Sequence, residues 1–554
     1  MVSISYKAFM EEARLRLDEF SKEDLQTLIL QWASNESPNN REAFLTKLTV
    51  KEVKPRIGHG DETLIEEIEA FAERVGSGDY VDGFGWDPEI LDEREFGDES
   101  WTEEMDDFFL EARELLKEGN YEVAEKAYRK LFEVLEMGDE GLPGAYYPGN
   151  MLDVEEDEHR ALFYRSVYLN ARAEERADML YDTMGDDGYV DASRTKLKDV
   201  RDSLDAPLPD FHDFLEEWIE CLKGKTPSLY VSELLREAVF LKGGIPAISE
   251  FAKVYAEQFP TAYVDWIEAL EKEGDTASII EAATEGLSNI PSNYAVRAEV
   301  AEKLAKVGEE RKDDKLRLRG LRESFHSNPS VEYLLDLYLT GKKEGCFAEI
   351  SNEAEIRLIE LEKEDRDFTF HNIERRPSMF QEWVLIHARL LAGDHEKVFR
   401  MCEGKDSLGW SFGSNPKPVM LIFMMDVLSK RNERTKIFKD QWSFTVGSNP
   451  PEMDKYMTLI DYVKETIELT DEQAYFYLDW CKKEIGNRID AIVGNQKRGS
   501  YHKAAKLLVA MAEALANRGT VPDGKDFIAT YRSKYPRHTA FKKELTNALQ
   551  ASEL

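Results

Sequence analysis

The chain has 554 residues and a formal net charge of −38, with 110 acidic against 72 basic side chains. That length exceeds what one hydrophobic core holds, so two or more domains, or an extended repeat array, are expected. A composition of 42% hydrophobic and 11% aromatic residues excludes disorder over the whole length. The acidic excess argues against nonspecific attraction to phosphate backbones or anionic lipid. It reads as a soluble surface that resists aggregation, as adaptation to a salty cytoplasm, or as a surface built for a basic partner.

Residues 1–75 read as a small helical bundle. Phe9, Ala13, Leu17 and Phe20 fall on one helical face. Ser21 and Asp24 mark the start of a second helix carrying Leu25, Leu28, Ile29 and Trp32, and Asp61 caps a third with Leu64, Ile65, Ile68, Phe71 and Val75.

Residues 76–100 break this pattern with glycines, acids and aromatics. From 76 to 107 there are 13 acidic residues and a single base, Arg94. The segment reads as a solvated linker pinned by its aromatics, or as a docking strip for a cationic partner. In the second reading Tyr80, Phe84 and Trp86 are the contact candidates.

Residues 101–403 read as an array of helical hairpins. The clearest signature is Gly119-Asn120-Tyr121-Glu122-Val123-Ala124, then Tyr128 and Leu131: a turn, then a helix packed on its predecessor. The expected packing residues are Leu116, Gly119, Tyr121, Ala124 and Tyr128. Glycines that read as turns recur at Gly244, Gly274, Gly308 and Gly345, in steps of 30, 34 and 37 residues. Pro260, Pro291 and Pro329 punctuate successive hairpins, since the residue before proline resists helix. Further copies occur at Gly393 and Gly499.

Residues 404–418 form a long loop that displays Trp410, the fourth contact candidate, and whose composition suits a regulated cleavage site. Asn449-Pro450-Pro451 marks another break, so 419–448 reads as a semi-independent hairpin within a C-terminal helical region, 419–554. Between 497 and 547 the charge reverses, with 11 Lys or Arg against four acids. There Tyr531, Tyr535 and Phe541 interleave with Arg532, Lys534, Arg537, Lys542 and Lys543. The pattern fits a capping helix with buried aromatics, or a strip that stacks on and neutralises nucleic acid.

The Gly119–Leu131 signature resembles the centre of a tetratricopeptide repeat (TPR), as does the Gly499 copy with Tyr501, Ala504 and Leu508. The remaining copies lack the aromatic or the small residue and are TPR-like. Arg498 to Leu549 is similar to the tail of uncharacterised prokaryotic helical-repeat proteins, some of which carry a SWIM-type zinc finger. No Cys-x-Cys or Cys-x-His spacing occurs in this chain, so no zinc site carries over. The resemblance implies an all-α, TPR-like helical-hairpin solenoid with an N-terminal helical bundle.

No chemistry-bearing motif is present: no phosphate-binding glycine loop, dinucleotide fingerprint, zinc-protease pair, nucleophile elbow or kinase set. Asp186, Asp187 and Asp191 around Gly188 lack calcium-loop spacing and read as a polar turn. The four cysteines are scattered, which suits a reducing cytosol. Neither a signal peptide nor a membrane span is expected. The expectation is therefore a non-enzymatic, prokaryotic, cytoplasmic scaffold or adaptor with no cofactor or metal. It would bind a basic protein partner, such as a transcription- or defence-associated protein released on cleavage at 404–418. The alternatives are nucleic-acid binding through 497–547, or an enzyme whose site the sequence does not display.

Overall fold

A computed structural model describes residues 15–17, 20–35, 61–87, 92–137, 140–144, 148–186, 195–226, 228–364, 373–409, 414–430, 433–447 and 450–554. Among the described residues the fold is all-α apart from one two-stranded sheet, and the chain divides into two compact units, Met1–Gly244 and Ile245–Leu554. The division falls where Gly244, at φ 60° and ψ −149°, interrupts the helical run Leu229–Val254.

The first unit contains α1 (Lys22–Asn35), α2 (Asp61–Ser77), β1 (Val81–Asp87), β2 (Asp92–Gly97), α3 (Trp101–Glu118), α4 (Tyr121–Glu136), α5 (Glu156–Asn170), α6 (Arg176–Asp186), α7 (Leu197–Asp202) and α8 (Phe211–Gly224), and it includes the start of α9 (Leu229–Val254). Its core is laid down by sequential packing. Helices α3, α4 and α5 each contact the next, and α2 lies against α4. The α3–α4 turn follows the helix-stop chemistry expected of it. Gly119 adopts φ 92°, a left-handed conformation that favours glycine, and the N–H groups of Gly119 and Asn120 close onto the carbonyls of Leu116 and Leu115. Leu116, Ala124 and Tyr128 are at most 2% exposed, whereas Tyr121 is only partly buried. In α2, Leu64, Ile68, Phe71 and Val75 are buried as expected. In contrast, Leu30 and Trp32 of α1 are exposed, and Phe9 and Ala13 lie outside the described residues.

The second unit runs through α10 (Ala262–Glu273), α11 (Thr276–Asn289), α12 (Arg297–Arg311), α13 (Asp314–Ser327), α14 (Val331–Lys343), α15 (Phe347–Lys363), α16 (Glu382–Leu391) and α17 (His395–Met401). It continues with α18 (Lys417–Leu428), α19 (Lys436–Val446), α20 (Pro450–Thr466), α21 (Asp471–Ile489), α22 (Tyr501–Arg518), α23 (Val521–Lys534) and α24 (Thr539–Gln550). From α10 to α17 each helix packs on its sequence neighbour, the arrangement of a helical-repeat protein. Turns at Gly274, Gly345 and Gly393 are left-handed, as the spacing predicts.

Gly308 is a correction. It sits inside α12, and the turn comes four residues later at Lys312 (φ 57°). A Cβ on Gly308 would lie 2.4 Å from the Arg317 amide nitrogen, and one on Gly320 would lie 2.5 Å from that of Ala305. These two glycines exist for backbone-to-backbone packing of α12 on α13.

The reading of 419–448 as a semi-independent hairpin is also overturned. Helix α18 is buried from Val419 to Asp426 and is packed by α19, α21 and α22. A helix that is apolar all round has no wet face to offer, so it becomes the centre of a bundle rather than one wall of a hairpin.

Candidate partner-binding surface

Within the segment expected as a solvated linker or a docking strip, β1 (Val81–Asp87) and β2 (Asp92–Gly97) pair as an antiparallel hairpin. Its register pairs Phe84 with Glu95, Gly85 with Arg94, Trp86 with Glu93 and Asp87 with Asp92. Residues directly opposite share a face, so Phe84, Trp86, Glu93 and Glu95 lie together on one side. Gly85, Arg94 and Asp87 lie on the other.

That second side is occupied internally. The Arg94 Nε–Asp87 Oδ2 distance is 2.6 Å, Asp87 is buried, and the Arg94 guanidinium lies 4.9 Å from the centre of the Phe96 ring. The one base of the acidic strip is thus committed within the hairpin. On the first side the two large aromatics are left in water: Phe84 is 67% and Trp86 58% exposed. Glu95 ties this side to the body, accepting the Gly141 N–H at 2.8 Å.

Tyr80, expected beside them, is instead 2% exposed. Its hydroxyl donates to Glu104 and accepts from Arg74 Nε at 3.2 Å, and Arg74 Nη2 also reaches the two Glu104 oxygens at 2.9 and 2.7 Å. Burial, reinforced by the Glu104 carboxylate, pushes the phenol well above its ordinary range, so it stays a protonated structural donor. Even spacing places residues 80, 84 and 86 on one face of a regular strand. A register irregularity between Val81 and Gly83 breaks that parity and leaves Tyr80 in the core.

Trp410 and the turn residues Asp187, Gly188 and Asp191 lie outside the described residues. Among the described residues, no group of three or more His, Cys, Asp or Glu side chains is placed to hold a metal ion, and no helix is long and apolar enough to cross a membrane.

The basic C-terminal strip has no aromatic stacking face made from the three residues that suggested one. Tyr531, Tyr535 and Phe541 are buried, and Lys534 and the Tyr535 hydroxyl both bind Asp490. Several cations of α12 and α13 are paired. Lys303 and Lys306 meet Glu271, Arg297 meets Glu323, and Arg322 meets Glu349.

No protein-family model matches the chain, and no curated protein matches it. Among solved structures it is similar to one described as a "circular tandem repeat protein with novel repeat topology and enhanced subunit contact surfaces". That similarity has 13% identity and a TM-score of 0.17, over 89% of this chain and 98% of the other.

Proposed function

We propose that this chain is a non-enzymatic interaction scaffold whose β1–β2 hairpin presents Phe84 and Trp86 to a basic protein partner. The observation that carries the reading is the placement of two exposed aromatic rings on one face, opposite Glu93 and Glu95, in a strip whose only base is already engaged. Large apolar rings in water are costly to leave uncovered, and a face ringed by acids favours a lysine- or arginine-bearing surface. Sequential helix packing supports the scaffold part, since stacked hairpins expose extended surface. The finer reading, release of the partner by cleavage within 404–418, is supported by the composition of that loop.

The test is capture on the tagged full chain from its native host, comparing wild type with the Phe84→Ala/Trp86→Ala variant at low and high salt. The proposal requires a basic protein that is retained by wild type, weakened by salt and lost from the variant. Equal recovery on both chains would remove the hairpin from the account. Limited proteolysis within 404–418 that leaves the captured protein bound would remove the release step.

A further inference from the structure

The second unit encloses a cavity of about 300 Å³ unrelated to the hairpin. Its floor is apolar, built from Leu421 and Ile422 of α18, Phe444 of α19 and Leu507 of α22. Its wall is cationic, carrying Arg488 at the end of α21 and Lys503 and Lys506 in the first turns of α22. This clustering runs against the sign of the chain as a whole.

The three cations are not equivalent. Lys506 is neutralised by Asp440, with Nζ 2.9 Å from Oδ2. Lys503 lies 5.3 Å from the centre of the Phe444 ring and forms no ion pair with the described residues. Arg488 is half-buried and has no hydrogen-bond or ion-pair partner among the described residues. Its guanidinium packs against the Gly409 backbone, where an added Cβ would come within 2.4 Å of Cζ and Nη2. Burial alone pulls the Arg488 guanidinium below its ordinary basicity. A planar cation held in that position, with no partner for its fork among the described residues, has the donor geometry that carboxylates and phosphates accept.

We propose that this cavity binds a small organic anion. The apolar body lies on Leu421, Ile422 and Leu507, and its anionic group takes the Arg488 fork with Lys503 beside it. The volume sits at the lower end for small-molecule sites, and few polar groups converging on an apolar floor is their usual pattern. Arg488 and Lys503 select for charge, and the floor selects for an apolar body, so inorganic anions alone are poor ligands.

The test uses two fluorescent probes of matched ring system on the full chain: 8-anilinonaphthalene-1-sulfonate, which carries the anion, and N-phenyl-1-naphthylamine, which does not. The proposal predicts saturable sulfonate binding that weakens by about ten-fold or more in Arg488→Gln, while the neutral probe binds both chains alike. Lys503→Gln, at an exposed helical position, serves as a second variant should the first fail to fold, and is expected to weaken the sulfonate by a smaller factor. No saturable sulfonate binding would overturn the proposal. Equal loss of both probes would also overturn it, as would sulfonate binding indifferent to both substitutions.

Discussion

Asp426 gives the sharpest test of how the second unit is held together. It lies on the largely buried helix α18 and is 1% exposed. Its Oδ2 accepts Arg434 Nε at 2.5 Å and Trp442 Nε1 at 3.0 Å, and its Oδ1 accepts Lys464 Nζ at 2.6 Å. One carboxylate therefore joins α18 to α19, α20 and the turn between α18 and α19. Asp426→Asn keeps the shape but removes the charge, and it turns an amide N–H₂ toward one of two cations that are themselves largely buried. Breaking a buried ion pair by removing one partner costs about 3–5 kcal/mol. Arg434 retains Asp461 at 2.6 Å, which places the expected loss near the lower end, about 3 kcal/mol. The assay is peptide-resolved amide hydrogen exchange across 417–466, with urea unfolding alongside. Protection in α18, α19 and α20 should fall together by about two orders of magnitude, since about 1.4 kcal/mol corresponds to ten-fold. A change below about 1 kcal/mol, or one confined to α19, would refute the claim that this carboxylate ties the bundle together.

Each unit also buries a histidine that must stay neutral. Burial, helped by nearby Arg113, pulls His159 down to about 4, and burial pulls His387 down to about 3. Because the folded state binds fewer protons than the unfolded one, this stability is present above about pH 6.5 and is lost as pH falls toward those values, by up to ~3 kcal/mol for His159. Urea midpoints at pH 7.5 and 5.0 should therefore differ less in His159→Gln and His387→Gln than in wild type, and an unchanged pH slope would contradict the reading. Gly308→Ala or Gly320→Ala should cost about 1–3 kcal/mol by forcing α12 from α13, and a stabilising effect from added helix propensity would contradict it. Tyr80→Phe should cost about 1 kcal/mol in stability, because it removes the hydroxyl from Arg74 and Glu104. Phe84→Ala and Trp86→Ala should leave the melting temperature within about 2 °C of wild type, being exposed; a large shift would place those rings in the core.

The helical-repeat architecture was legible because its signals are local. The apolar stripe, the left-handed glycine and the proline stop act within one or two turns, and Gly119, Ala124 and Tyr128 stand as the spacing predicts. Gly308 was misread because a glycine needed for close helix approach and one needed for a turn look alike in sequence. Only the partner backbone, at Arg317, distinguishes them. The hairpin did carry a signal: Phe84 and Trp86 alternate with Gly83, Gly85 and Asp87 at period two. Glycine-rich, acidic composition masked it, and the irregularity at Val81 hid Tyr80's inward turn. The cavity had no sequence signature, since Leu421, Arg488 and Lys503 meet only through the packing of three helices around α18.

The central claim is that the Phe84–Trp86 face contacts a basic protein. Its most direct measurement is in-cell photocrosslinking with p-benzoylphenylalanine placed at residue 84 or 86, with Ile356, an exposed site in the second unit, as the control position. The account predicts one basic protein joined from both hairpin positions and not from the control, with no adduct formed when permeabilised cells are irradiated at high salt. Adducts that are absent from the hairpin, or that form equally from residue 356, would contradict it.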